Sequence, residues 1–367
     1  MKLLQIYNGL AHYRESIYTL IDREFDSDYL IAKAKDDIKQ MDPAAFRGKV
    51  TMVESRTRHG VIFQPGLGKA LREPYDVYLA LGETHNLSIW LFAISLRLFY
   101  PKKRLYFWSH GWYGKETNLE RWLKKLFFRL PNGGTFLYGN YARELMIREG
   151  FNPDKLFVIH NSLAYDKQLA TRNKLKPGDV YAEHFGNKQK NLLFVGRLTK
   201  AKRLDMILHT MVKLKKKGKA YNLTLIGGGE DAEALKALTH ELGLDAQVWF
   251  YGPCYDEEQL GTLIFNADLT VSPGNVGLTA IHSMVFGTPV VSHNDFPRQG
   301  PEFEAIKEGM TGSFFERGNV ESLANCIGAW LERPDYDRET IRKACFDEID
   351  NYWTPQYQLS VLKEYLK

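Results

Sequence analysis

The sequence predicts an α/β protein of two doubly wound units. Apolar runs of strand length alternate with longer helical patterns along nearly the whole chain, which is the signature of βα units and parallel sheets. This alternation stops in a mostly polar stretch over 164–190 and then restarts. At 367 residues the chain also exceeds what one core of ordinary size organises.

The expected strands of the first half are Leu3–Tyr7, Tyr29–Ala32, Lys49–Val53, Val77–Leu81, Leu105–Ser109, Thr135–Tyr138 and Leu156–Ile159. Helices such as Tyr13–Arg23 and Leu119–Leu130 are expected between them. Pro177-Gly178 and the absence of periodicity mark 164–190 as a linker. The second half repeats the pattern with Asn191–Val195, Leu223–Ile226, Val248–Tyr251, Leu269–Ser272 and Pro289–Ser292. The expected organisation is therefore a domain over 1–163, the linker, a domain over 191–350 and a terminal helix over 351–367.

Composition narrows the class. Hydrophobic residues make up 44% and charged residues 25%, the profile of a globular protein. A net charge of +5 allows a phosphorylated ligand or an anionic surface but is too small for a nucleic-acid binder. Cys254, Cys326 and Cys345 lack metal-ligand spacing and fit a reducing cytoplasm. The start, M-K-L-L-Q-I-Y, reads as a first strand and not as a signal peptide. The longest apolar stretch, Leu87–Tyr100, is shorter than a bilayer crossing and contains Arg97.

In open α/β sheets, ligands bind beyond the carboxyl ends of the strands, so the residues after each strand carry the functional expectation. Gly196 and Arg197 close one strand, and Lys202 follows on the turn. A guanidinium and an ammonium there can converge on one anion, naturally a diphosphate. The next strand ends in G-G-G-E-D, where Gly228 allows either a close approach to a ligand or a tight turn, and the one after it in Gly252-Pro253, whose backbone suits the edge of a base. The stretch P-G-N-V-G-L-T-A-I-H-S then leads into a helix whose first amides, at Gly277, Leu278 and Thr279, suit an anion. His282 lies on the same face one turn further. In the first half, Asn8, Gly9, His12 and Arg14 follow the first strand, and His110 follows Leu105–Ser109.

Taken together, the segments F-V-G-R-L-T-K-A-K, L-T-L-I-G-G-G-E-D, F-N-A-D-L-T-V-S-P, G-L-T-A-I-H-S-M-V-F-G-T-P-V-V and E-A-I-K-E-G-M-T-G resemble the retaining nucleotide-sugar glycosyltransferases of family 4. The likeness runs from Leu192 to Ala329 and is looser in the first half, through H-Y-R, S-H-G and V-I-H-N-S. It implies the GT-B fold, two facing Rossmann-like domains with a cleft between them. It also implies a nucleotide diphosphate sugar, UDP- or GDP-linked, as donor, with no other cofactor.

By that resemblance Arg197 and Lys202 neutralise the donor diphosphate, Gly277–Thr279 receive its distal phosphate, and Glu304 matches the glutamate of the E-x-x-x-x-G-x-x-G segment. His110 falls where the family often has a histidine facing the transferred sugar. The family's two glutamates, separated by seven residues, are here Gly274 and His282. His282 can still bond a ribose hydroxyl, and sugar recognition is expected to shift to Asn275 or to Asp295, Arg298 and Gln299.

The implied activity is sugar transfer to an acceptor hydroxyl, with retention and without a metal, in surface polysaccharide or glycolipid synthesis. The alternatives are a nucleotide-sugar epimerase or hydrolase on the same fold, or a nucleotide-sugar-binding protein that has lost catalysis. A glycan or lipid-linked glycan is the expected acceptor, with entry along Asn8–Arg14 and His110–Tyr113 and no nucleic-acid partner. The segment Leu119–Leu130 is basic and amphipathic. It fits either a helix at the inner face of a membrane or an ordinary helix burying one face on its own sheet.

Overall fold

The computed structural model describes residues 1–33 and 39–366. The chain divides into a first unit, Met1–Ala164 with Thr354–Lys367, and a second unit, Tyr165–Trp353.

The strands in chain order are β1 Lys2–Tyr7, β2 Asp26–Ala32, β3 Val50–Val53, β4 Arg56–Arg58, β5 Val61–Phe63, β6 Val77–Leu81, β7 Arg104–Ser109, β8 Gly134–Leu137 and β9 Leu156–Val158 in the first unit. The second unit has β10 Asn191–Val195, β11 Asn222–Ile226, β12 Val248–Gly252, β13 Leu269–Ser272, β14 Val290–His293 and β15 Gly312–Phe315. The helices of the first half are α1 Glu15–Glu24, α2 Leu67–Ala70, α3 Leu87–Phe99, α4 Asn118–Phe127 and α5 Asn140–Arg148. They are followed by α6 Tyr165–Arg172, α7 Val180–Phe185, α8 Asp205–Lys216, α9 Ala232–Glu241, α10 Glu257–Asn266, α11 Thr279–Val285, α12 Val320–Leu331, α13 Arg338–Tyr352 and α14 Pro355–Tyr365.

The first unit is built on a seven-stranded sheet in the order β3-β2-β1-β6-β7-β8-β9, and the second on a six-stranded sheet in the order β12-β11-β10-β13-β14-β15. Every pairing in both sheets is parallel. Parallel strands are covered by helices on both faces, which is why central strands such as Leu192–Phe194 are buried at every position and read as unbroken apolar runs. The first unit accordingly has a core layer on each side of its sheet, one around Phe92, Phe107 and Phe127 and the other around Tyr18, Trp108 and Ile159. In both sheets the first strand has neighbours reached in opposite directions, β2 and β6 for β1, and β11 and β13 for β10. Such switch points open a crevice at the carboxyl ends of those strands.

Three sequence expectations are corrected here. The stretch expected as a linker forms α6 and α7, which belong to the second unit. Their buried side chains include Gln168, Thr171 and Tyr181, so polar groups hold them where apolar periodicity was sought. Arg172 grips Asp350 with two bonds of 2.9 and 2.8 Å, and the Tyr181 hydroxyl donates to the Leu263 carbonyl at 2.7 Å. The last helix begins at Pro355, capped by Thr354, while Asn351 still lies in α13. Finally, β15 and the β4–β5 hairpin are strands that the sequence pattern did not reveal, all of them short and the hairpin almost wholly exposed.

Candidate functional site

In the second unit, the strand ends are fixed by backbone packing. The amide of Gly196 donates to Ile226, Leu198 to Gly228, and Gly227 to Gly252, each at 2.9 Å. A Cβ on Gly227 would lie 1.9 Å from the Gly196 carbonyl oxygen, and one on Gly229 would lie 2.3 Å from that of Leu198. The triple glycine therefore lets adjacent turns close on one another, with Gly228 against Pro253. The Gly252 carbonyl, expected to serve a base, already accepts the Gly227 amide.

Lys202 and Arg197 meet at this end. The Lys202 ammonium donates to the carbonyl and side-chain oxygens of Asn275, at 2.7 and 3.0 Å. Burial lowers its pKa and the nearby Arg197 cation lowers it further, against an opposing pull from Glu302. Arg197 itself is exposed and has no ion pair among the described residues.

The loop before α11 explains its glycines. A Cβ on Gly274 would fall 2.3 Å from the Ala201 oxygen and 2.8 Å from the Lys202 Cα, and the Gly274 amide donates to the Lys202 carbonyl at 3.0 Å. A glutamate cannot stand there without displacing the turn that carries Lys202. Gly277 has φ +51°, a left-handed conformation that glycine adopts without strain. Leu278 then stands at the N-cap position of α11 without a side-chain cap, and the Thr279 hydroxyl donates to the Val195 carbonyl at 3.0 Å, tying the helix start to β10.

His282 bonds Glu257 at 3.1 Å, and Gln168 donates to the same carboxylate at 3.0 Å. Burial pushes the Glu257 carboxyl up, but the bond from His282 and its charge outweigh this and hold it below the usual carboxylate range. Glu257 was not a sequence-level candidate because it opens α10, distant in sequence and outside any motif. It places a carboxylate beside the histidine that stands at the second glutamate position.

Gln299 has a structural duty instead of the expected sugar contact. It is buried, accepts from the Val276 amide at 2.9 Å and donates to Ser292 and to the His293 carbonyl at 2.9 and 2.8 Å. Asp295 is engaged by Arg298 and Arg317 at 3.2 and 3.5 Å. Glu304 lies half-buried in the turn Pro301–Ala305, next to the buried Glu302.

In the first unit, Asn8, Arg14 and His110 line one cavity of about 540 Å³ with Glu83 and Tyr138. Asn8 donates to Glu83 at 2.6 Å, and burial raises the Glu83 pKa. The Arg14 guanidinium is buried over the Trp108 ring at 4.5 Å and near Tyr18 at 5.1 Å, with no carboxylate partner among the described residues. The His110 ring stands 4.7 Å from that of Tyr138. Surrounding protein, then the Arg14 and Lys124 cations, push its pKa down to about 4, although its open side admits water. At neutral pH it is an uncharged donor and acceptor. Gly9 lines the adjoining cavity of about 440 Å³, which Asn8 and Arg14 share, whereas His12 is exposed and lines neither.

Among the described residues no three or more His, Cys, Asp or Glu side chains are grouped to hold a metal ion. The chain has two Asp-x-Asp triplets, and both are occupied structurally. In Asp26-Ser27-Asp28, Asp28 binds Lys2 and the Tyr75 hydroxyl, each at 2.9 Å. In Asp335-Tyr336-Asp337, Asp337 caps α13.

Residues 181–345 match the family described as glycosyl transferases group 1. That glycosyl transferases group 1 region spans β10 to β15 and every second-unit residue discussed above except Gln168, Thr171, Arg172, Asp350 and Asn351. An uncharacterized glycosyltransferase of Methanocaldococcus jannaschii is 30% identical over 207 residues, covering 54% of this chain and 50% of that protein. The chain spans about half the length of the curated relatives it matches first. Two solved structures share the whole fold. The apo form of the lipopolysaccharide outer core galactosyltransferase WaaB superposes with TM-score 0.73 at 16% identity, covering 100% of this chain and 99% of that one. HepE of Anabaena, in complex with UDP, gives TM-score 0.73 at 16% identity and covers 99% of both chains. The fold is thus the α/β architecture of GT-B glycosyltransferases, with two Rossmann-like units.

Proposed function

We propose that the protein transfers a hexosyl group from a nucleotide diphosphate sugar to an acceptor hydroxyl, with retention at the anomeric carbon and without a metal ion. One arrangement carries this reading: at the end of β10 the exposed Arg197 cation acts on the half-buried Lys202 ammonium, whose pKa burial lowers first and Arg197 lowers further. An anion seated between the two cations relieves that repulsion, and a departing diphosphate is such an anion. Charge developing on it is stabilised by groups already in place, which is the larger part of the catalytic task.

The remaining donor contacts are assigned as follows. The amides at Gly277, Leu278 and Thr279 receive the distal phosphate, and Gly196, Gly228 and Gly252 let the nucleotide lie close to the strand ends. His282, oriented by Glu257, bonds a ribose hydroxyl. Asn275 and Glu304 contact the sugar, and in the first unit neutral His110 offers its cavity a hydrogen-bond donor and acceptor. UDP is favoured over GDP because HepE, with the same fold, binds UDP.

On the acceptor side Asn8, Gly9 and Arg14 receive a glycan or lipid-linked glycan, and His12 stands outside that group. The buried Arg14, lacking a carboxylate, favours an acceptor with an anionic group. Surface polysaccharide or glycolipid synthesis at the cytoplasmic side of a membrane fits both the acceptor chemistry and the likeness to WaaB.

The test is incubation with UDP- and GDP-sugars and glycan acceptors, followed by NMR of the product's anomeric proton. An α-linked donor should give an α-linked product, with the same rate in EDTA. Inverted product contradicts retention, loss of rate in EDTA contradicts metal independence, and release of free sugar without transfer contradicts the activity.

A further inference from the structure

The first unit turns an apolar face to water. Among the described residues, of sixteen large apolar side chains more than a third exposed, five are on α3 and four on α4. On α3 the exposed stripe is Leu87, Leu91, Ile94 and Leu98, at i, i+4, i+7 and i+11, while Ile89, Phe92, Ala93 and Leu96 face the core. On α4 it is Leu119, Trp122, Leu123 and Leu126, and Phe127 is the buried residue of that helix. Each helix therefore has an apolar stripe that its own sheet does not cover. Within Leu119–Leu130 it is Phe127 and Phe128 that pack inward on the sheet, so the stripe itself is left outside.

The two stripes form one surface. The Trp90 and Phe127 rings lie 4.9 Å apart, and Arg97 on α3 donates to the Arg129 carbonyl just past α4 at 2.6 Å. Between the helices runs a groove of about 790 Å³, walled by Leu87, Trp90, Leu91, Ile94 and Leu123. It shares Thr84, His85, Tyr113 and Lys124 with the cavity that holds His110 and Arg14.

The rim is cationic. Among the described residues Arg97, Lys102, Lys115 and Arg129 flank the face without an ion-pair partner. The nearby carboxylates are spent: Glu116 is buried against Lys124, and Glu120 closes the capping box with Thr117. No helix among the described residues is long and apolar enough to cross a membrane. Apolar stripes beside uncompensated cations, on helices too short to span, are the features of a surface that lies in the interface of an anionic bilayer.

We propose that α3 and α4 seat this protein on an anionic phospholipid bilayer. Leu98, Phe99 and Trp122, exposed by 68%, 72% and 58%, enter the acyl boundary. The cations meet lipid phosphates. The groove then opens at the bilayer, so that an acceptor carried on a lipid reaches the His110 cavity from the membrane plane. The docking stands apart from the donor chemistry, because it uses none of the residues assigned to the second unit.

The experiment is cosedimentation of the full chain with phosphatidylcholine vesicles and with vesicles containing one quarter phosphatidylglycerol. Binding to the anionic vesicles should be at least about tenfold tighter and should weaken with salt. Leu98→Glu with Phe99→Glu, and separately Trp122→Glu, should each lower it about tenfold or more while the melting temperature and the response to nucleoside diphosphate stay unchanged. Lys102→Glu with Lys115→Glu removes charge without touching the apolar stripe, and should abolish the preference for anionic lipid. Wild-type protein that stays in the supernatant with both vesicles overturns the proposal. So does equal binding to both, or a concentration-dependent dimer that Trp122→Glu dissociates, which would assign the face to a second copy of the chain.

Discussion

The two units share one architecture but build their ligand ends differently. The second unit does it with backbone: Gly196, Gly227, Gly229 and Gly274 sit where a Cβ would meet another turn or where the chain takes an unusual φ. The first does it with side chains from several strand ends, Asn8 and Arg14 after β1, Glu83 after β6 and His110 after β7. Backbone-built sites leave short, fixed-order signatures in a sequence. Side-chain sites leave scattered single residues.

The largest effect that sharpens this comparison is electrostatic. Arg197→Ala should lower kcat/KM by about 10²–10³, the scale of removing one group that stabilises developing charge. Arg14→Ala should instead raise KM for the acceptor and leave nucleotide binding alone. Steady-state kinetics with each substrate varied separately distinguishes them, and equal loss of donor affinity in both variants would break the division of labour.

Next comes the backbone claim itself. Gly227→Ala brings a Cβ to 1.9 Å from the Gly196 oxygen at φ +146° and should cost about 3 kcal/mol in urea unfolding. Gly252→Ala, with open space around it at φ +88°, should cost only about 1 kcal/mol. If the two melt alike, close packing of the strand ends is not what selects those glycines.

Each unit also holds a histidine kept neutral, and here the units differ by exposure. His293 is buried at the end of β14, where burial and then the Arg317 cation push its pKa down to about 4. An unfolded histidine takes up a proton near pH 6.5, which the folded one refuses until about pH 4. Its contribution, on the order of 2–3 kcal/mol, is therefore full above pH 6.5 and lost as pH falls toward 4. Stability measured between pH 7 and 4 should decline more steeply in the wild type than in His293→Gln. His110, open to its cavity, should matter less to stability. The transfer rate, if His110 must stay uncharged, should show no histidine titration between pH 5.5 and 8.

The smallest effect concerns the relocated carboxylate. Glu257→Gln keeps the shape but removes the charge that orients His282, and should raise the donor KM severalfold, about 1 kcal/mol. A change in kcat alone would show that the pair does something other than hold the nucleotide.

Legibility followed the same division. Central strands such as Val77–Leu81, Asn191–Val195 and Leu269–Ser272 were readable to the residue because burial on both faces makes them mostly apolar, with only small polar residues such as Thr270 and Ser272 among them. The helices α6 and α7 were not, because Gln168 and Arg172 on the first and the Tyr181 hydroxyl on the second hold them by polar bonds. Arg197, Lys202 and the P-G-N-V-G loop could be located from order and spacing. Glu257 and Glu83 could not, since only the fold brings them beside His282 and Asn8. Gly274 could be seen as a missing glutamate, but its reason, contact with the turn of Lys202, required coordinates.

The central claim is that the strand ends of the second unit bind a nucleoside diphosphate between Arg197 and Lys202. Thermal unfolding with UDP and GDP, on the wild type, Arg197→Ala and His110→Ala, tests it most directly. At a hundredfold excess over Kd, one of the two should raise the wild-type Tm by about 5 °C. His110→Ala should respond like the wild type and Arg197→Ala should not. A wild type indifferent to both nucleotides, or an Arg197→Ala variant that responds equally, would contradict the account.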